Sequence, residues 1–260
     1  MDMLDIDGIR LECRWVGSPG AAPVLVFLHE GLGSVSLWRD FPDRVAAATG
    51  LTAFVYSRQG YGGSSPVELP RPLDYLEREA CDVLPRVLDA AGIASAILIG
   101  HSDGGSIALV HAAQDPRVVG VAVLAPHTFV EDMCVEAIAS VRAGWPGALR
   151  GKLARHHGDN VDGAFHGWSD TWLSPAFRAM DLRPYLARIR VPLLVVQGED
   201  DEYATLAQVT EITTRVPGSA AQVLAECGHS PQRDQPEAVL AAIAELVRRV
   251  RTPLRSPPPR

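Results

Sequence analysis

Val24–Leu28 and Val118–Leu124 carry no charged or polar side chain, which predicts strands covered on both faces rather than strands with one side in water. Strand-type runs recur at 51–56, 96–99, 191–197 and 221–225, and stretches with helical spacing separate them. Within 73–91, Leu76, Ala80, Val83, Leu84, Val87 and Leu88 fall on one helical face, and Gly92 follows as a stop. Residues 38–48, 205–215 and 236–250 read as further helices, the last with Val239, Ile243, Leu246 and Val250 as its core face. Near the N-terminus, Asp7-Gly8 joins residues 3–6 to Ile9–Val16, where Ile9, Leu11, Cys13 and Trp15 alternate with polar neighbours, so the chain should begin with a β-hairpin. Buried strands alternating with helices predict an α/β fold: a mainly parallel, eight-stranded sheet with helices on both faces.

The alternation breaks at 126–190, which holds no strand-like run but does hold Trp145, Trp168 and Trp172. Cys134, Ile138 and Val141 suggest one helix, Leu149 and Leu153 a second, and Phe165, Trp168 and Trp172 a third. This segment is expected to form a helical cap inserted after strand 6, with 1–125 and 191–251 forming the core domain and the proline-rich residues 252–260 a disordered tail. A net charge of −7 argues against a nucleic-acid partner. Cys13, Cys81, Cys134 and Cys227 lack metal-site or secreted-scaffold spacing, and neither an export signal nor a membrane-length apolar run is evident, so a soluble cytoplasmic protein with no membrane partner is expected.

Between the strand at 96–99 and a following helix lies Gly100-His101-Ser102-Asp103-Gly104. A strand that turns sharply into a helix holds the central residue out from the fold, needs small neighbours, and directs free N–H groups from the helix start toward it. Ser102 is therefore the candidate nucleophile. A serine needs a base and a group to orient that base. Gly198-Glu199-Asp200-Asp201-Glu202 follows the strand at 191–197 and Cys227-Gly228-His229 follows the last strand, so each candidate stands at the C-terminal end of its own strand, where parallel sheets build sites. On position alone, Asp200 competes with Asp201.

In these motifs and their order the chain resembles the α/β-hydrolase superfamily, and within it the capped serine hydrolases: esterases, lactonases, thioesterases and carbon–carbon bond hydrolases. The resemblance covers all but the tail and implies the α/β-hydrolase fold, with Ser102, Asp201 and His229 as the catalytic residues. It matches His29-Glu30-Gly31 to the oxyanion loop, making the backbone N–H groups of Gly31 and Asp103 the expected oxyanion donors. It further implies a small-molecule substrate and no cofactor. Two positions depart from the superfamily pattern: Glu30 stands where glycine is usual, and Ser57-Arg58-Gln59-Gly60 where Asp-x-Arg-Gly is common. Because a carboxylate would oppose a developing alkoxide, Glu30 is expected to turn away from the pocket toward Arg39 or Arg58.

Other polar residues have plainer readings. His101 and His111 are expected to pack beside the nucleophile helix. His156, His157, Asp159 and His166 match no zinc spacing, so no metal is expected. Leu32, His127, Trp168 and Trp172 are the candidate pocket residues. The reading that results is hydrolysis of a carboxylic ester or related acyl bond through an acyl-enzyme on Ser102. A small-molecule receptor that retains the triad, an acyltransferase and a C–C bond hydrolase are the alternatives on the same fold.

Overall fold

A computed structural model describes residues 2–252; of the segment expected to be a tail, all but Thr252 lies outside the described residues. Eight strands form one sheet in the order β1-β2-β4-β3-β5-β6-β7-β8. They are β1 (Asp2–Ile6), β2 (Ile9–Val16), β3 (Val24–Leu28), β4 (Ala53–Tyr56), β5 (Ala96–His101), β6 (Val118–Leu124), β7 (Leu193–Gly198) and β8 (Ala220–Leu224). The hairpin of β1 and β2 pairs antiparallel and joins the rest antiparallel through β4, while every pairing from β4 to β8 is parallel.

Alternate residues of the central strands feed two separate cores. On one side Val24, Val26, Leu28, Ala96 and Leu98 pack with Leu76, Leu84, Ile107 and Ile212. On the other, Leu25, Phe27, Ile97 and Ile99 pack with Val45, Val239 and Ile243. The helices that cover the sheet are α1 (Phe41–Thr49), α2 (Tyr75–Arg78), α3 (Leu84–Ala90) and α4 (Asp103–Ala112), and further along the chain α9 (Ala207–Arg215), α10 (Pro231–Asp234) and α11 (Pro236–Arg251). The helix expected at 73–91 is α2 and α3 joined through a wider π turn at Glu79–Val83, and the one expected at 38–48 begins as a 3-10 turn at Val35–Trp38 before α1.

Between β6 and β7 lie α5 (Asp132–Ala143), α6 (Gly147–His157), α7 (Val161–Trp172) and α8 (Arg183–Leu186). Cys134, Ile138, Leu153, Phe165, Trp168 and Trp172 turn inward and join the first of the two cores. Trp145 stacks on Phe165 at 3.6 Å between ring centres, tying the start of α6 to α7. Among the described residues no helix is long and apolar enough to cross a membrane.

Candidate active site

Ser102 sits between β5 and α4 with φ of +51°, a left-handed conformation that a serine adopts only where surrounding structure enforces it. The enforcement is steric. A Cβ at Gly100 would run into the carbonyl of Gly104, and one at Gly104 into the carbonyl of Leu28, so β5, the turn and α4 approach one another more closely than any side chain allows.

His229, in the loop after β8, places Nε2 2.9 Å from Ser102 Oγ. Its Nδ1 lies 2.8 and 3.0 Å from the carboxylate oxygens of Asp201, which follows β7. A ring nitrogen facing a carboxylate carries the proton, which leaves Nε2 as the acceptor of the Ser102 hydroxyl. Asp201 itself is held by Gln197, whose amide donates at 2.6 Å, and by the backbone N–H groups of Tyr203 and Ala204. Burial works against charge on Asp201, yet the His229 imidazole and the Tyr203 N–H keep its carboxyl below the usual carboxylate range. Asp200 is exposed, and its backbone N–H donates to the Cys227 carbonyl at 2.9 Å.

Around Ser102 opens a cavity of about 260 Å³. Leu32, His127, Trp168 and Trp172 all line it, together with Gly31 and Asp103 and with Cys134, Ile138, Glu202 and Tyr203, which the sequence did not point to. Asp103 is buried beneath the site: Tyr75 donates its hydroxyl to Asp103 at 2.6 Å, Trp172 donates to that same hydroxyl oxygen at 3.0 Å, and the Arg58 guanidinium lies 3.7 Å away. Burial pushes the Asp103 carboxyl up while Arg58 opposes that shift.

Glu30 departs from expectation in its partner. It lines the cavity, and its carboxylate approaches neither Arg39 nor Arg58 but His101, with 3.4 Å between Oε2 and Nδ1. Burial would raise this carboxyl, but the imidazole of His101 draws it down to about 2. Arg58, only 1 % exposed, instead grips the loop backbone, donating to the carbonyls of His29 at 2.5 Å and Glu30 at 3.2 Å. His101 is likewise more than packing, since its Nε2 donates to the carbonyl of His229 at 2.7 Å and Gln232 reaches its Nδ1 at 3.1 Å. His111 is buried against the carbonyl of Ala80.

Of the four cap-segment residues weighed for a metal, His156, His157 and Asp159 border one surface cavity, but among the described residues they form no group placed to hold a metal ion. His156 meets Ser36, His157 accepts from the Gly62 N–H and donates to the Leu32 carbonyl, and His166 faces Asp170. An imidazole set between a buried carboxylate and a serine hydroxyl can take the hydroxyl proton as the oxygen attacks an electrophilic carbon.

A family model described as the alpha/beta hydrolase family matches residues 25–242. The chain belongs to that family. Human serine hydrolase BPHL is 28% identical to this alpha/beta hydrolase over 237 residues, which span 86% of this chain and 78% of the relative. The 2-hydroxy-6-oxononadienedioate/2-hydroxy-6-oxononatrienedioate hydrolase of Burkholderia vietnamiensis is 24% identical over 272 residues, 94% of this chain and 93% of that one. Among solved structures, the enol-lactonase from Burkholderia xenovorans LB400 shares the fold with a TM-score of 0.74 at 24% identity, covering 95% of this chain and 100% of the other.

Two features of this alpha/beta hydrolase had signals in the sequence that went unread. Gln197, a lone polar residue at the end of an apolar strand, marks the support of Asp201. Arg58, two residues beyond the end of β4 and beside two glycine-rich loops, marks the clamp on the His29-Glu30 backbone.

Proposed function

We propose that this chain is a serine hydrolase that cleaves a small-molecule carboxylic ester or related acyl bond. The observation that carries the reading is the continuous line from Asp201 through His229 to Ser102, at 2.8 and 2.9 Å, ending on a serine in a strained turn. Ser102 Oγ attacks the acyl carbonyl while His229 Nε2 takes its proton. The backbone N–H groups of Gly31 and Asp103 receive the negative charge that develops on the carbonyl oxygen, an arrangement usually worth about 3 kcal/mol per donor. His229 then hands the proton to the leaving oxygen, and water, activated by the same imidazole, releases the acid. Asp201 fixes the tautomer and stabilises the imidazolium between those steps.

On this reading residues 126–190 act as a cap over a core made of 1–125 and 191–251, and the cap supplies the apolar wall of Cys134, Ile138, Trp168 and Trp172. The chemistry draws on side chains and backbone of this chain and calls for no cofactor. The likeness to a relative named as a serine hydrolase, over 86% of the chain, supports the same reading.

Chromogenic esters of graded acyl length test it. Sustained turnover of at least about 1 s⁻¹ on a short acyl ester is the expected result. A single burst matching the protein concentration, with nothing after it, would replace the hydrolase with a ligand-holding receptor.

A further inference from the structure

His127 follows β6 on the flank of Ser102 opposite to Gly31, because β5 lies between β3 and β6 in the sheet. The preceding Ala125 has φ of +47°, a strained setting that turns the chain so that His127 enters the cavity wall. Its backbone is fixed from both sides. The Ser106 hydroxyl donates to the His127 carbonyl at 2.6 Å and accepts from its N–H at 3.1 Å, while the next residue, Thr128, donates through its N–H and its hydroxyl to Gln208 at 2.7 and 2.9 Å. The ring is wedged between Trp172 and His229, at 5.1 and 5.5 Å between ring centres.

His127 is 2 % exposed, and its Nδ1 is enclosed with no hydrogen-bond partner among the described residues. Leaving a buried imidazole in that state costs free energy that an apolar ring of the same shape would avoid. The ring borders the cavity, so with Nδ1 enclosed, Nε2 is the nitrogen with access to whatever the cavity holds. Burial pushes the imidazole down to about 3, and the neighbouring His229 adds to that shift, so the ring meets its ligand uncharged. An orphaned buried N–H is tolerated less readily than an orphaned lone pair, so the neutral ring keeps its lone pair on the enclosed Nδ1 and offers Nε2–H to an acceptor.

We propose that His127 is a specificity residue that donates this hydrogen bond to an oxygen substituent, a hydroxyl or carbonyl, on the acyl part of the substrate close to the scissile carbonyl. The inference rests on the acyl-hydrolase reading above and narrows it to esters or lactones of oxygenated acids. The acyl part is assigned because it stays bound after the alcohol departs and water enters in its place, so a group fixed in the cavity wall beside Ser102 can act on it through both steps. A neutral donor favours an uncharged oxygen, because it brings no charge of its own to balance a carboxylate.

The test is a matched pair of esters that differ by one group: ethyl 3-hydroxybutanoate and ethyl 3-methylbutanoate, in which a methyl replaces the hydroxyl at nearly constant shape. The full-length protein should favour the hydroxy ester in kcat/KM by about tenfold or more, the scale on which a site built to hydrogen-bond a group rejects its apolar analogue. In His127→Phe the ratio should fall to about one. His127→Gln, which keeps a donor, should restore most of it; a purely structural role for the ring would change both esters alike and leave the ratio standing. Because the readout is a ratio within one preparation, partial loss of folded protein does not alter it. Equal rates on the two esters in the unmodified protein, or a ratio that survives His127→Phe, overturn the assignment of His127 alone. If neither ester is hydrolysed, nor any of the graded chromogenic esters, the hydrolase reading falls and this inference falls with it.

Discussion

Arg58 donates from Nη2 to the carbonyl of Glu30 at 3.2 Å, and that carbonyl shares one planar peptide with the N–H of Gly31. In a trans peptide the two groups point in opposite directions. Holding the Glu30 carbonyl toward Arg58 therefore holds the Gly31 N–H away from it, and Gly31 lines the cavity. A guanidinium with no contact to the reacting atoms thus helps to set the direction of a proposed oxyanion donor, together with the His29 ring and the Gly33 N–H that donate to the same carbonyl, and its second bond, to the His29 carbonyl at 2.5 Å, pins the preceding peptide.

Arg58→Lys should lower kcat by about one to two orders of magnitude with a smaller change in KM, because a point charge cannot replace both arms of the fork. Arg58→Met should in addition cost stability, since it leaves the Asp103 carboxylate, 1 % exposed, without the guanidinium beside it. Ester kinetics and thermal unfolding on the same two variants separate the effects; an unchanged kcat in Arg58→Lys would free the loop from this control.

Ser102→Ala should abolish ester turnover by at least about 10³-fold while the melting temperature shifts by only a few degrees. Loss of less than tenfold would move the nucleophile elsewhere.

Asp201→Asn should cost far more than Asp200→Asn. The Asp201 side chain contacts His229 at 2.8 Å and is held by Gln197, so an amide there removes the charge that balances the imidazolium and invites the wrong tautomer. The exposed Asp200 side chain should tolerate the change within about twofold in kcat/KM, in keeping with the small effects of most surface substitutions. Equal losses in the two variants would show that the loop, rather than the carboxylate, is what matters.

Acid should destabilise the fold well above the carboxylate range. His29 is buried, donates Nδ1–H to the Glu30 carbonyl and accepts the Arg58 N–H on Nε2, so it is satisfied only when neutral; burial first, and Arg58 next, hold its pKa well below the usual 6.5. His127 is held at about 3. Below pH 6.5 the unfolded chain takes up protons at these imidazoles that the folded chain refuses, so unfolding becomes easier as pH falls. A second loss should begin below about 4.5, where the unfolded chain protonates the carboxylates of Glu30, held at about 2 in the fold, and of Asp201, held below its usual range. Denaturant midpoints between pH 8 and 4 check this. In His127→Phe the decline between 6.5 and 4.5 should be shallower, and an identical slope in that window would remove His127 from the balance.

The two cores and the strand ends were legible because their signals are local. Continuous apolar runs require cover on both faces, and Gly100 and Gly104 permit a turn that other residues forbid. Ser102 and His229 stand out for the same reason, as does the acidic turn after β7, although position alone left Asp200 beside Asp201 and only the resemblance to the superfamily separated them. The partners of charged side chains were not legible. Glu30 could have met Arg39, Arg58 or His101 on equally plausible local grounds, and the outcome depends on how β3, β4 and β5 deliver three loops to one place. Arg58 looked like a departure from a pattern because its role is to bind backbone carbonyls, which no residue type in the sequence announces.

Gly31 bears on how freely such proteins can exchange parts. Any side chain at position 31 would collide with the indole of Trp168 on α7, so the loop that offers the Gly31 N–H and the helix that roofs the cavity are shaped to each other at a single point. A roof transplanted from a relative would have to bring its own answer to that contact, and a library that randomises position 31 would disturb the roof as surely as the proposed oxyanion site beneath it. The two regions are separated by more than a hundred residues of chain, yet they constitute one unit of inheritance.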